Sequence, residues 1–343
     1  MIAVAGAGMA GLVAAARLRE LGRDVSVREK GTRLGGSMLL SSCVVWRHRD
    51  FDAFRAECPG GDERLQRLVW ERLDDAIGWL VARGAPVVWE ETGNPRTVGK
   101  RFEPAGLVAA HAGDAELGAD GCVDGPLILC TGGFGGSGEL VERFVAPAAP
   151  LRLRANPWSA GDGLRLAVGR GAALTNAMDE FYGRNMPAPP ARVEEAGFVP
   201  LAQLYARFAT VENEHGERFE TRTWSEIDVA QWTARQPRAR ARYLVADDAL
   251  GERVRERTVA EIVEAARAAG GPVERRGGVT CVGVTAAITT TLGGLRIDTS
   301  ARVAEGVFAA GADAGGVSTG GYSSGLAAAL VQGRIAAEAA LGH

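Results

Sequence analysis

Residues 2–29 read IAVAGAGMAGLVAAARLRELGRDVSVRE, and this stretch decides the fold. Ile2 to Ala5 is a short apolar run that ends in Gly6-x-Gly8-x-x-Gly11. A helical pattern follows from Leu12 to Leu21, closed by Gly22, and Asp24 to Glu29 then alternates as a second strand. Strand, glycine turn, helix and strand make the βαβ unit that starts a doubly wound sheet. The three glycines permit a tight turn, close approach of backbone to a pyrophosphate, and close packing of helix on strand. The helix N-terminus offers N–H groups and partial positive charge to phosphates. Glu29 ends the second strand, where a carboxylate accepts hydrogen bonds from ribose hydroxyls and disfavours a 2′-phosphate. The stretch predicts a dinucleotide site that does not take NADP.

Working outward, the next signals favour FAD over NAD. Glu29-Lys30 is followed by Leu34-Gly35-Gly36-Ser37, a second glycine turn that suits a dinucleotide extending further through the domain. Pro126 to Cys130 reads as a buried strand running into Thr131-Gly132-Gly133-Phe134. Near the other end, Gly306 to Ala310 is a strand leading to Gly311-Ala312-Asp313, whose acid can hold ribityl hydroxyls or pyrophosphate-linked water. Gly315, Gly316, Gly320 and Gly321 then lead into a helix from about Gly325 to Ala340. Its N-terminus would direct a positive dipole at the flavin N1/C2 carbonyl, where negative charge develops on reduction. A second G-x-G-x-x-G spans Gly133 to Gly138, but Asn156 stands where its ribose-binding acid would be, so a separate NADH domain is not expected.

The chain has 343 residues and 47 glycines, yet only Gly183, Gly197, Gly216 and Gly251 fall within 172–269. Aromatics concentrate in that glycine-poor part, including Tyr182, Tyr205 and Tyr243. The expectation is an α/β protein in which a noncontiguous Rossmann-like domain, 1–171 and 277–343, is interrupted by an inserted α+β domain, 172–276. Helices are expected at 62–83 and 254–269, and the run Arg235 to Arg242 reads as a solvated helix face. A formal net charge of -3 excludes the basic footprint of a nucleic-acid binder. The cysteines (Cys43, Cys58, Cys122, Cys130, Cys281) show no C-x-x-C spacing, which implies a reducing compartment and neither a disulfide framework nor zinc. His48, His111, His215 and His343 are scattered, so no metal is expected. With no long apolar run and a first residue set against a strand, the expected location is cytoplasmic.

Five stretches carry a family resemblance. GAGMAGLVAAARLRELGRDVSVREKGTRLGGS, LILCTGGFGGS, NPWSAGDGL, TTLGGLRID and GVFAAGADAGGVSTGGYSSGLAAALVQGRIAAEAA resemble, in order, the signatures of the fumarate reductase / succinate dehydrogenase flavoprotein family. That family includes the 3-ketosteroid dehydrogenases and tricarballylate dehydrogenase. The resemblance implies a noncontiguous FAD-binding domain with an inserted capping domain, and substrate between cap and isoalloxazine ring. It implies FAD contacts at Gly6, Gly8, Met9, Ala10, Gly11, Glu29, Lys30, Gly35, Gly36, Ser37, Thr131, Gly132, Gly133, Asp162, Asp313, Ser324, Gly325 and Leu326. No histidine stands where the dehydrogenase branch attaches its flavin, so noncovalent FAD is expected.

The departures from the family pattern narrow the chemistry. Fumarate reductases carry His-Thr-Met-Gly-Gly, whereas this chain has Thr289-Thr290-Thr291-Leu292-Gly293-Gly294. Their carboxylate-gripping arginine after Gly-Gly-Asn is replaced by Gly320-Gly321-Tyr322-Ser323-Ser324-Gly325, and Arg222 is out of register with their catalytic arginine. These changes argue against reduction of fumarate. Gly321-Tyr322-Ser323-Ser324-Gly325 resembles instead the ketosteroid branch, in which a tyrosine hydroxyl and a backbone N–H polarise a substrate carbonyl. The expected activity is to add or remove two hydrogens across a C–C bond next to a carbonyl of a small organic substrate, with hydride exchanged at flavin N5. Tyr322 is the expected catalytic tyrosine, and Tyr182 with Arg184 would supply acid/base and anion contacts from the inserted domain. Tyr205 and Arg207 are weaker candidates. The electron donor or acceptor is open. Two alternatives also stay open: a flavin-bound protein with a degenerate site serving as a binding partner, and an oxidase of an amine or hydroxyl substrate that uses oxygen.

Overall fold

The structure, a computed structural model, describes residues 1–119 and 125–342; Cys122 and His343 lie outside them. The chain forms two compact units, the first from 1–140, 156–180 and 290–343, the second from 141–155 and 181–289. The glycine pattern places the passages at 171/172 and 276/277; the compact units place them at 180/181 and 289/290 and add 141–155 to the second unit.

The first unit is built on a sheet in the order Arg302–Ala304, Val307–Ala309, Leu127–Leu129, Ile2–Ala5, Val25–Glu29, Glu116–Leu117. All neighbours are parallel except the first two. The three central strands are buried at every position. That is why they read as unbroken apolar runs, since a parallel strand is covered on both faces. The crossover helix Met9–Glu20 follows the first strand, and its alanines and leucines are buried on nearly every side. It packs closely against the C-terminal helix Gly325–Ala339: a Cβ at Gly333 would come within 2.6 Å of the Ala10 carbonyl oxygen.

A smaller antiparallel sheet in this unit has the order Val44–His48, Thr97–Phe102, Val87–Trp89. The helix expected at 62–83 spans Glu63–Ala82, with the Asp62 carboxylate accepting from the Arg64 and Leu65 amides at its N-terminus.

The second unit carries a sheet in the order Arg218–Phe219, Thr210–Glu212, Arg240–Ala246, Val279–Thr291, Val273–Arg276. Arg152–Leu153 and Phe181–Pro187 also pair with the long strand Val279–Thr291. Its core gathers Tyr205, Tyr243, Val211, Val245, Ile262 and Val282. Two local expectations are corrected here. The helix expected from 254 spans Val259–Ala268, because Thr258 and Glu261 form a reciprocal capping box that fixes its start. Arg235 to Arg242 is no helix face: Arg235 ends the helix Ile227–Ala234, and Arg240 already belongs to the strand Arg240–Ala246.

Candidate cofactor site and active site

The glycine turn is shaped differently at each of its three glycines. Gly6 has φ +96°, and a Cβ there would overlap the Cys130 carbonyl. At Gly11 a Cβ would overlap the Gly6 carbonyl. Around Gly8 a Cβ would meet nothing within 4 Å. Two glycines are therefore demanded by the protein's own packing, and the third leaves a cradle open at the N-terminus of Met9–Glu20. No side chain caps that helix, so its first N–H groups face the cradle without one. An anion such as a pyrophosphate fits there.

The second glycine turn folds back onto the first. The Gly35 amide donates to the Ala7 carbonyl at 2.8 Å, and a Cβ at Gly36, where φ is +51°, would lie 3.2 Å from the Gly8 Cα. Ser37 Oγ accepts from the Asn156 amide at 3.1 Å, which brings the NPW stretch to the same place. Glu29 is buried and binds the backbone: Oε2 accepts from the Ala7 amide and Oε1 from the Gly31 amide, each at 2.7 Å. Each oxygen keeps a second lone-pair position, so the carboxylate that shapes the turn can still accept from a ribose hydroxyl. Lys30 and Asp162 meet in an ion pair at 2.7 Å.

A second junction joins the middle of the chain to its C-terminal part. Asp313, fully buried, accepts from the Thr131 amide, from Thr131 Oγ1 at 2.9 Å and from the Gly133 amide at 3.0 Å. Burial raises its pKa, while the hydrogen bonds from Thr131 and Gly133 oppose the rise. Gly132 and Gly133 have positive φ and press against Ser159 and Thr291, and Gly136 lies against the Pro157 carbonyl. Gly133, the first glycine of the second G-x-G-x-x-G, is thus closed by protein, whereas a Cβ at its last, Gly138, would meet nothing within 4 Å.

The Tyr322 loop lies on the strand Val44–His48. Ser324 Oγ donates to the Val44 carbonyl at 3.4 Å and accepts from the Ala327 amide at 3.2 Å, capping Gly325–Ala339. Gly321 has no room for a Cβ beside the Glu57 carbonyl, and the Gly320 amide donates to Glu180 Oε2 at 2.7 Å. The half-buried Tyr322 has its hydroxyl 3.4 Å from the Gly325 amide, which donates to it. The helix-terminal N–H thus supports the phenol oxygen, and the phenol O–H is left to donate at the helix N-terminus. Trp46 packs edge-on against the Tyr322 ring, and the buried His48 imidazole packs edge-on against Trp46. Burial lowers the His48 pKa to about 4 against the raising effect of the Tyr322 backbone, so the ring is neutral at ordinary pH. Sequence motifs do not single out Trp46 and His48; their only signal is the alternation that puts residues 46 and 48 on one face of a strand.

In the second unit Tyr182 and Arg184 stand together, Arg184 Nε donating to Tyr182 Oη at 3.3 Å with its guanidinium 5.0 Å from the ring centre. Arg184 also donates to the Ser225 carbonyl. Arg154, buried, donates to the Phe198 carbonyl at 2.7 Å and to Thr289 Oγ1 at 2.9 Å. Burial alone would raise the phenol pKa of Tyr182; the charges of Arg184, Arg154 and Arg255 outweigh it and bring it down to about 8. Nothing in the local sequence marks Arg154 or Arg255 for this role. Tyr205 is instead a core residue, its hydroxyl donating to Gln203 Oε1 at 2.8 Å, and Arg207 pairs with Glu226 at 2.8 Å.

Comparison with known proteins agrees with the cradle. A family model described as an FAD binding domain matches residues 118–326, and one described as an NAD(P)-binding Rossmann-like domain matches residues 4–50. No curated protein matches the chain. Among solved structures, a flavocytochrome c3 fumarate reductase in its open conformation is similar at 20% identity, covering 100% of this chain and 78% of that one, with a TM-score of 0.73. A 3-ketosteroid-delta4-(5alpha)-dehydrogenase from Rhodococcus jostii RHA1 is similar at 18% identity, 99% and 96% coverage and a TM-score of 0.69. A 3-ketosteroid delta1-dehydrogenase from Sterolibacterium denitrificans gives 16%, 100% and 99%, and 0.73. At these identities the likeness establishes the fold. The family match covers more than half of the chain, and with the open cradle at Gly8 it leads to one conclusion: the chain belongs to the FAD binding domain family and its cofactor is FAD.

Proposed function

We propose that this protein is an FAD-dependent dehydrogenase or reductase that removes or adds two hydrogens across a C–C bond adjacent to a carbonyl of a small organic substrate. Bound FAD supplies the hydride acceptor or donor at N5. The observation that carries the reading is the pairing of the Tyr322 hydroxyl with the Gly325 amide at 3.4 Å. A carbonyl oxygen placed against the phenol would accept its O–H, which the Gly325 N–H polarises by donating to the phenol oxygen, and charge developing on the carbonyl would be stabilised by the helix N-terminus. Polarising the carbonyl acidifies its α-hydrogen, and the β-hydrogen then leaves as hydride. Two structural relatives are ketosteroid dehydrogenases solved with ketones, which supports this chemistry by likeness of fold.

Tyr182 is the proposed proton acceptor, since a phenol brought to about 8 is partly ionised near neutral pH. The neighbouring Arg184 stabilises that phenolate. Glu29, Gly35, Gly36 and Ser37 would hold the adenosine half of FAD, and Thr131 to Gly133, Asp313 and Gly325 the flavin half. FAD is held noncovalently in this reading, and acid precipitation should release it entirely into the supernatant.

The test is anaerobic mixing of the FAD-loaded protein with cyclic enones, 3-ketosteroids and simple carboxylates. Loss of the oxidised flavin band with a saturated ketone, or its return from reduced protein with an enone, is the expected result. Flavin that responds only to carboxylates would show that a carbonyl next to the reacting bond is not what the site selects.

A further inference from the structure

The Tyr322 phenol is attached to a backbone that does not by itself fix its direction. Gly320 has φ +87° and Gly321 precedes the tyrosine directly, so the loop enters Tyr322 through two permissive residues. One face of the tyrosine meets the strand Val44–His48. Trp46 and His48 are two apart on that strand and so project from the same face. Trp46 meets the Tyr322 ring at 6.0 Å between centroids with planes at 68°, the edge-to-face geometry that fixes an aromatic pair. His48 meets Trp46 through its ring. The imidazole is itself locked, stacked on Phe54 at 5.0 Å and 12° and edge-on to Trp46 at 5.3 Å. The Trp70 indole N–H donates to the His48 carbonyl at 2.9 Å and holds the strand end.

We propose that Trp46 and His48 are positioning residues: Trp46 fixes the plane of the Tyr322 ring and His48, stacked on Phe54, holds Trp46 in place, so that the phenol hydroxyl stays beside the Gly325 amide. The kinetic consequence rests on the reading of Tyr322 as the carbonyl-polarising group. The positional claim stands on the aromatic geometry alone. A phenol that swings away from the Gly325 amide loses the hydrogen bond that polarises it, and misplacement of about 1 Å is enough to slow an oriented reaction by up to roughly a hundredfold.

The FAD-loaded protein labelled with ring-13C tyrosine separates these claims. Its four tyrosines give four resonances, and Tyr322→Phe identifies the relevant one by its disappearance. His48→Phe puts a larger ring between Phe54 and Trp46. It is expected to move the Tyr322 resonance and leave those of Tyr182, Tyr205 and Tyr243 in place. Trp46→Leu should move the Tyr322 resonance with the fold intact, and it decides the matter where His48→Phe does not fold. An unmoved Tyr322 resonance in the folded variants overturns the proposal. In stopped-flow flavin reduction, His48→Phe is expected to slow hydride transfer roughly tenfold in the otherwise unchanged protein and not at all in a Tyr322→Phe background. Equal slowing in both backgrounds overturns action through Tyr322. If Tyr322→Phe itself leaves the rate unchanged, the carbonyl role fails, and the resonance shifts still decide whether Trp46 and His48 position the ring.

Discussion

Tyr182 owes its acidity to residues that come from three separate parts of the sequence. Arg184 is two positions away, Arg154 precedes the tyrosine by 28 positions, and Arg255 follows it by 73. A base of this kind works in its deprotonated form, so kcat/KM should rise with pH and level off above about 8. Replacing Arg184 with Gln removes the nearest cation and hydrogen-bond donor. The rising limb should then move toward the ordinary phenol pKa of about 10, which a pH–rate profile reads directly. A limb that does not move would assign it to another group. This cluster also marks how far single residues are legible in sequence. Tyr182 and Arg184 stand out because they are close together on one strand. The arginines that complete their environment do not, because only the tertiary fold brings them near.

At the scale of elements, the glycine turn makes a prediction that separates packing from binding. Gly11→Val forces a side chain into the Gly6 carbonyl, so the helix Met9–Glu20 must lift from its strand. Overpacking of this kind costs about 1–3 kcal/mol or more, and both thermal stability and FAD content should fall. At Gly8 a Cβ meets no atom of the described residues within 4 Å, so Gly8→Ala fits the fold. This substitution should leave the melting temperature of the FAD-free protein nearly unchanged and abolish FAD retention, as flavin absorbance per protein would report. Elements are the most readable level of this sequence. The βαβ unit, the helix at Glu63–Ala82 and the helix at Gly325–Ala339 all follow from period and punctuation. The start of Val259–Ala268 is misplaced by hydrophobic period alone, although its Thr-x-x-Glu capping signal is present at Thr258 and Glu261. The run Arg235 to Arg242 misleads because charge alone does not distinguish the exposed face of a strand from that of a helix.

At the scale of the molecule, the residues proposed to hold FAD lie far apart in the chain. Within the first unit, residues 6–11, 29–37, 131–133, 156–163 and 311–325 are joined by the contacts of Gly36 with Gly8, Ser37 with Asn156 and Asp313 with Thr131. A ligand held by all of them stabilises the native state by mass action. FAD at about a thousand times its Kd adds about 4 kcal/mol, and stripping FAD should therefore lower the melting temperature by roughly 6 °C, restored on adding it back. Differential scanning calorimetry on stripped and reloaded protein checks this. The glycine distribution along the chain marks out the body of the glycine-poor second unit. It does not locate the passages at 180/181 and 289/290, because Thr289 and Thr290 belong to one continuous strand, Val279–Thr291, and no glycine or proline marks the crossing.

The central claim is that the Tyr322 hydroxyl activates a substrate carbonyl for hydride exchange with FAD. Its most direct test compares anaerobic flavin reduction or reoxidation by a ketone or enone substrate in the unmodified protein and in Tyr322→Phe, with FAD content matched. Loss of one such donor slows the step by about a hundred- to a thousandfold where it stabilises developing charge, and that is the result expected here. Equal rates in the two proteins would contradict the account.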